Sequence, residues 1–159
     1  AGVSPGTLYQ YFPDKAALVA ELTERQSTRE LAFHQARFAA LPPDGTLEET
    51  LRAMFESVLA FQRAEGPLMR ETLAALQHLG RYEALARRAA EAAGALRGVL
   101  ELHRDRIGVK DLDLATHVLA NAVHSLTHDG VLPRPASLDD ATLLDALQRL
   151  AIGYLLPSK

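Results

Sequence analysis

The chain has 159 residues, of which 48% are hydrophobic and 23% charged, an ordinary globular balance that allows one sizeable core. It has no cysteine, which excludes a disulfide framework and a thiolate metal site and is compatible with a reducing cytoplasm. No apolar run reaches the roughly 18 residues that a membrane span needs, so no membrane partner is predicted. The formal net charge of −3 is unlike that of most free-standing nucleic-acid-binding domains and argues modestly against DNA binding.

Residues 1–15 read AGVSPGTLYQYFPDK, a pattern typical of a tight turn followed by a short helix. Gly2 permits the turn, Ser4 is the predicted N-cap, and Pro5 occupies the first helical position, where no amide donor is needed. The side chains large enough to anchor this helix inward are Val3, Leu8 and Phe12. The side chains with polar tips that are left to point outward are Thr7, Tyr9, Gln10 and Tyr11.

A second helix is predicted to begin directly after this one. Asp14 is its predicted N-cap, and Lys15 lies in its first turn. A cation there is slightly unfavourable to the helix dipole, so an external anion such as a phosphate explains Lys15 better.

Together these residues resemble the TetR family of bacterial transcriptional regulators. The resemblance is dense over residues 1–22 and is one of architecture beyond Leu22. It implies that residues 1–22 are the C-terminal part of a helix-turn-helix DNA-binding domain and that residues 23–159 form a helical effector-binding and dimerisation domain. Family members carry a first helix and most of a second before this turn, so the chain is expected to begin inside the DNA-binding unit.

The resemblance also implies roles for individual residues in the first stretch. Those that would face base edges or the sugar-phosphate rim are Pro5, Gly6, Thr7 and Gln10. Those that would bond phosphates are Tyr9, Tyr11 and Lys15. Gln10 is the best base reader, because a carboxamide can pair with adenine in bidentate fashion. The alternative is that Tyr9, Tyr11 and Phe12 are only an aromatic packing cluster.

Apolar residues spaced by three and four predict an all-α body with six or seven helices after the first stretch. The predicted helices cover residues 14–41, 46–63, 67–79, 81–107, 111–128 and 138–156. Thr46 and Glu49 predict a capping box, residues 65–67 predict a break, and Gly80 predicts a stop. Asp111 or Asp113 is expected to begin the fifth helix. No strand-like alternation of useful length occurs.

Two further features of the last three helices carry predictions. Gly94 and Gly98 suggest a close helix approach, although the alternative is local weakness of about 1 kcal/mol per glycine relative to alanine. Ser137 is the predicted N-cap of the final helix.

The resemblance implies a small-molecule cavity in the helical body. Its occupation would move apart the DNA-binding parts of the two subunits of a dimer, called the reading heads below. The candidate apolar lining is Phe33, Met54, Phe55, Val58, Met69, Leu73 and Leu100. The candidate polar groups are Gln62, His78 and His103. Such pockets are mostly apolar with a few fixed polar groups. The alternative is that every apolar member is ordinary core.

A row of histidines recurs along the fifth predicted helix. Its members, at spacings of four, three and four on one face, are His117, Asn121, His124 and His128. Histidines at such spacing can share a metal, but no carboxylate pattern completes a site, so no metal is predicted. A solvated face, a subunit contact and a pocket mouth are the other interpretations.

The final helix is apolar on more than one face, which predicts two packing partners. One is the body of its own subunit; the other is a second subunit, matching the dimer that the resemblance implies through the last two helices. The candidate interface residues are Val118, Leu119, Leu143, Leu147, Leu150 and Tyr154. A deeply buried terminal helix in a monomer is the alternative.

No catalytic set is present: the sequence has no Gly-rich phosphate loop, no Ser-centred elbow and no paired acidic motif. We therefore predict no enzyme activity and no cofactor. The resemblance implies a homodimeric transcriptional repressor that binds a palindromic double-stranded operator and is released by a small-molecule effector. The competing class is a helical ligand-binding or interaction module that does not use DNA.

Overall fold

The computed structural model describes residues 10–42, 44–127 and 139–156, apart from the side chains of Tyr82, Ala84 and Leu85. Within these ranges the chain forms five α-helices and no strand. They are α1 (Lys15–Phe38), α2 (Leu47–His78), α3 (Tyr82–Leu102), α4 (Leu112–Thr127) and α5 (Asp140–Leu155), with a 3₁₀ turn at Arg104–Arg106. The predicted all-α fold is confirmed.

The start of α1 is fixed by the predicted cap. Asp14 Oδ1 accepts a hydrogen bond from the Ala17 N–H at 2.7 Å, which satisfies one of the unpaired donors of the first turn. The helix ends at Phe38, a few residues before the predicted end at residue 41.

Both ends of α2 have the local chemistry that the sequence indicates. Thr46 Oγ1 accepts from the Glu49 N–H at 3.2 Å, and Glu49 Oε2 accepts from the Thr46 N–H at 2.8 Å, so the capping box is confirmed. Gly80 adopts a φ of +66°, and the Arg81 N–H donates to the Leu76 carbonyl at 2.9 Å. This is a Schellman motif, in which the residue after the helix has a positive φ, a conformation that favours glycine.

The predicted break at residues 65–67 is wrong. α2 continues through Pro67, which is exposed, and Gly66 is buried within the helix. A proline removes one backbone hydrogen bond from a helix interior but does not always end the helix. Here the buried face of α2 continues on both sides of the proline, from Phe61 to Met69, and its packing keeps the segment helical.

The third helix also differs from its prediction. α3 ends at Leu102, before the 3₁₀ turn, and does not reach residue 107. A Cβ atom added at Gly94 or Gly98 would meet nothing within 4 Å, so neither glycine marks a close helix approach. Both glycines are exposed, which leaves the alternative of local weakness.

The last two helices begin at aspartates. Asp111 Oδ1 accepts from the N–H groups of Asp113 and Leu114 at 3.0 and 2.9 Å, so Asp111 is the cap of α4. Asp139 caps α5 by accepting from the Thr142 N–H at 2.8 Å. The prediction of Ser137 as that cap is wrong, because α5 starts two residues later; Ser137 itself lies outside the described residues.

α2 is the central helix, and it packs against each of the other four. Helices α2 to α5 share one core, with the fully buried side chains Leu51, Phe55, Leu100, Leu119 and Leu147. α1 packs along the other side of α2. None of the helices in the described part of the chain is long and apolar enough to cross a membrane.

Candidate functional site

The segment just before α1 is a short exposed helical end. Gln10 and Tyr11 are helical, and both are exposed, with Tyr11 at 78%. Lys15 is exposed at the first position of α1, whereas Phe12 is half-buried. These exposed polar tips are free to reach a ligand, and the high exposure of Tyr11 does not support a packing role for it. The other four candidates, Pro5, Gly6, Thr7 and Tyr9, lie outside the described residues.

α1 joins this exposed end to the body of the molecule. The helix has 24 residues and is therefore about 36 Å long. Near its far end, the rings of Phe33 and His34 pack against Phe61 of α2 with centroid distances of 5.5 and 5.7 Å. His34 Nδ1 lies 2.7 Å from the buried Ser57 Oγ. α1 is thus anchored to α2 far from Lys15.

Ion pairs connect the middle of α1 to its neighbours. Glu24 pairs with Arg87 of α3 at 3.3 Å, and Glu30 pairs with Arg88 of α3 at 2.5 Å. The Glu24–Arg87 pair is well exposed, and such pairs contribute only about 0–1 kcal/mol. The Arg88 side chain is 13% exposed, so its pair is the better shielded tie between α1 and α3.

The predicted effector-binding residues do not line one common cavity: some lie in the shared core and others lie outside it. Phe55 and Leu100 are fully buried in the shared core, with Met54 packed against it. Those outside that core include Phe33, against Phe61; Met69, whose sulfur lies 3.7 Å from Gln62 Nε2; and His103, 3.3 Å from Thr50 Oγ1. Val58 and Leu73 are half-buried on α2, and His78 is exposed at its end.

A recess of about 260 Å³ opens where the start of α1, the end of α2 and the start of α3 meet. It is lined by Asp14, Ala16, Ala17, Ala20, Thr23, Leu76, Arg81 and Arg87. None of the ten predicted effector-binding residues lines this junction recess. The only sequence signal for it was the group of alanines early in α1, whose small side chains leave room beside the helix.

Gln26 is a second feature that the site prediction missed. It lies on α1, is 1% exposed, and neither its Nε2 nor its Oε1 has a hydrogen-bond partner. The signal was present in the sequence, because Gln26 interrupts the apolar stripe that Leu22 and Phe33 share.

Two family models match the chain. The model described as "Tetracyclin repressor-like, C-terminal domain" matches residues 46–155, and that described as "Bacterial regulatory proteins, tetR family" matches residues 1–22. The first alone covers more than half of the chain. The chain belongs to the TetR family. It is therefore a DNA-binding transcriptional regulator, and the matches indicate no enzyme family. A comparison with curated proteins found no match.

In this TetR-family chain the six predicted interface residues divide into two groups. Leu119, Leu143 and Leu147 are at most 3% exposed within the subunit and present no surface to a second one, which corrects their assignment. Val118 and Leu150 are 39% and 44% exposed, and Tyr154 is half-buried. Leu114 and Leu126, which the sequence analysis did not single out, are also exposed, at 53% and 44%.

The histidine row of this regulator lies on an exposed face of α4. His117, Asn121 and His124 are exposed, and Asn121 Nδ2 donates to the His117 carbonyl at 2.8 Å. His128 lies outside the described residues. Within residues 10–42, 44–127 and 139–156, no three side chains of the metal-binding types come together.

Proposed function

We propose that this regulator is a homodimeric repressor that binds a palindromic operator and is released when a small molecule binds in its helical body. Family membership, carried by the matches to residues 1–22 and 46–155, is the observation on which the proposal depends. The exposure of Gln10 and Tyr11 just before α1, and of Lys15 at its first position, supports it. Because bacterial DNA lies in the cytoplasm, the proposal places the protein there.

The proposed mechanism uses α1 as a rigid connection between effector and operator. Lys15 stands at one end of the helix, and Phe33 and His34 hold the other end on α2. A small change of tilt at the anchored end is enlarged over about 36 Å of helix. Two reading heads must reach successive major grooves about 34 Å apart, so a changed spacing weakens binding. The effector shifts the population towards the conformation whose head spacing does not match the operator, because it binds that conformation better.

The test is operator affinity measured by fluorescence anisotropy, with DNA sites selected in vitro by the full-length protein. Tyr11→Ala and Lys15→Ala are expected to weaken binding to every sequence alike, because phosphate contacts carry no sequence information. Gln10→Ala is expected to relax discrimination at one base position, at a cost of about 1–3 kcal/mol. Arg25→Ala is the matched control, since Arg25 is an exposed cation ten residues further along α1.

Three results would count against the proposal. Equal loss of affinity by the Gln10 variant for all operators would remove its role as a base reader. A reporter gene downstream of the operator that is more active with the protein than without it would exclude repression. Failure of the full-length protein to bind any site at low salt would favour the helical ligand-binding module that does not use DNA.

A further inference from the structure

The junction recess combines an apolar inner part with charged side chains at its exposed edge. The apolar lining comes from alanines of α1 and from Leu76, which is only 1% exposed. The charged lining consists of Asp14, Arg81 and Arg87, all of which are exposed. The volume of about 260 Å³ is slightly below the usual range of ligand pockets. An occupant that matches both parts is therefore small and has an apolar body that ends in charged groups.

The three charged side chains differ in the partners that they already have. Arg87 pairs with Glu24 of α1 at 3.3 Å and with Glu91 of its own helix at 4.0 Å. Asp14 uses its Oδ1 atom to cap α1, and no cation in the described part of the chain pairs with it. The Arg81 side chain forms no hydrogen bond or ion pair with any described residue. The recess thus holds a carboxylate and a guanidinium that have no counter-ion and do not pair with each other.

These two opposite charges distinguish between classes of small molecule. A simple acid would bring its carboxylate to Arg81 but also close to the like charge of Asp14, and a simple amine would have the converse conflict. A molecule that carries both charges avoids each conflict. Its carboxylate can accept two parallel hydrogen bonds from the guanidinium, and its ammonium group can donate to the Oδ2 atom that the cap leaves unused.

We propose that the junction recess binds a small zwitterion with an apolar side chain, namely an aliphatic α-amino acid. Its carboxylate pairs with Arg81, its ammonium group pairs with Asp14, and its side chain lies against the alanines and Leu76. This inference deepens the proposed effector release and rests on it, because the recess adjoins the end of α1 that carries Lys15.

L-Leucine is the probe, and its binding to the full-length protein is followed by NMR through the backbone amide signals of Ala17 and Thr23. Two analogues that keep the branched chain are the matched controls: 4-methylpentanoate lacks the ammonium group, and isoamylamine lacks the carboxylate. Leucine is expected to shift the signals saturably. Each analogue is expected to bind at least about fivefold more weakly, because it loses one charged pair and keeps one like-charge conflict.

Two variants that remove one charge each test which group binds which end of the ligand. Arg81→Gln leaves the start of α3 intact, because the Arg81 side chain forms no capping hydrogen bond. Asp14→Asn keeps the cap of α1, since asparagine caps helices about as well as aspartate. Arg81→Gln is expected to weaken the binding of leucine and 4-methylpentanoate but not that of isoamylamine. Asp14→Asn is expected to weaken the binding of leucine and isoamylamine but not that of 4-methylpentanoate.

Three further variants test the location of the site. Arg25→Gln changes an exposed cation of α1 that does not line the recess, and it is expected to bind leucine like the wild type. Ala20 is exposed and lines the recess, so Ala20→Leu fills the recess without entering the core and is expected to abolish leucine binding. Ala64→Leu, at an exposed position of α2 outside the recess, is its matched control and is expected to bind leucine normally.

The inference is overturned if leucine causes no saturable shift, if either analogue binds as tightly as leucine, or if neither Arg81→Gln nor Asp14→Asn weakens leucine binding. Operator affinity is measured in parallel. Saturating leucine is expected to weaken operator binding by the wild type and not by Ala20→Leu, and leucine binding without any such effect would overturn the role as an effector site. Failure of the protein to bind any operator would instead count against the proposed function.

Discussion

At the scale of single residues, the Thr46–Glu49 capping box gives the clearest link between sequence, geometry and a measurable property. The Thr46 N–H, and then its hydroxyl, donate to the Glu49 carboxylate and hold the pKa of Glu49 below its ordinary value of 4.5. A carboxyl whose pKa is lowered on folding binds protons more weakly in the native state. Its stabilising effect is fully present above pH 4.5 and is lost as the pH falls through the lower native value.

We therefore expect Glu49→Gln to lower the melting temperature at pH 7 and to have a progressively smaller effect as the pH is lowered below 4.5. The measurement is thermal unfolding followed by circular dichroism across this pH range. Glu48→Gln is the control, because Glu48 lies in the same turn but does not form the capping box. An effect of Glu49→Gln that stays constant from pH 7 to pH 3 would contradict the assignment.

Residue-scale chemistry was also where the sequence predicted most successfully. The caps at Asp14 and Thr46 and the stop at Gly80 depend on hydrogen bonds within four or five residues, which local sequence specifies. The cap of α5 was missed because Ser137 and Asp139 are both good cap residues. Only the point at which the helix packs onto the core chooses between them, and that information is not local.

At the scale of helices, replacing glycines by alanine at a helical and at a positive φ is expected to change the stability in opposite directions. Gly94 lies in the exposed interior of α3 with nothing within 4 Å of an added Cβ, whereas Gly80 ends α2 with a φ of +66°. Gly94→Ala is expected to increase the free energy of unfolding by about 1 kcal/mol, because alanine is the better helix former. Gly80→Ala is expected to decrease it by about 1–2 kcal/mol, because an L-residue is strained at positive φ.

Urea denaturation of the two glycine variants provides the comparison. Gly98→Ala is a second copy of the helical case and is expected to behave like Gly94→Ala, since its surroundings are equally open. Destabilisation by both Gly94→Ala and Gly98→Ala would revive the close helix approach that the sequence suggested and that this structure contradicts.

The continuity of α2 shows why helix boundaries could not all be predicted. The dipeptide Gly66–Pro67 is locally a helix breaker, and the predicted break followed from that chemistry. In the folded molecule, Phe61 before it and Met69 after it are both buried, so tertiary packing outweighs the local preference. The same non-local burial encloses Gln26, whose polar character was visible in the sequence but whose lack of a hydrogen-bond partner was not.

At the scale of the whole molecule, the sequence predicted that the last helix is apolar on two faces but could not assign each face to a partner. Leu143 and Leu147 proved to be core residues, because helices α2 to α5 close around them. Val118 on α4 and Leu150 on α5 stay exposed and Tyr154 is half-buried, so these are the predicted interface residues that a second subunit could still contact. We therefore propose a dimer surface on α4 and α5 that is narrower than the one the sequence implied.

The double variant Val118→Glu/Leu150→Glu is expected to be monomeric, because a buried unpaired carboxylate at the contact would weaken association by about 30-fold or more. Size-exclusion chromatography with light scattering measures the mass of the particle in solution. Operator affinity is expected to fall when the mass falls to that of a monomer, since one DNA-binding head cannot occupy two half-sites. Leu31→Glu is the control: Leu31 is 58% exposed on α1, far in sequence from both helices, and its change should leave mass and affinity as they are. If the double variant stays dimeric, the subunits associate through another surface, and the spacing of the heads would have to be derived from that surface instead.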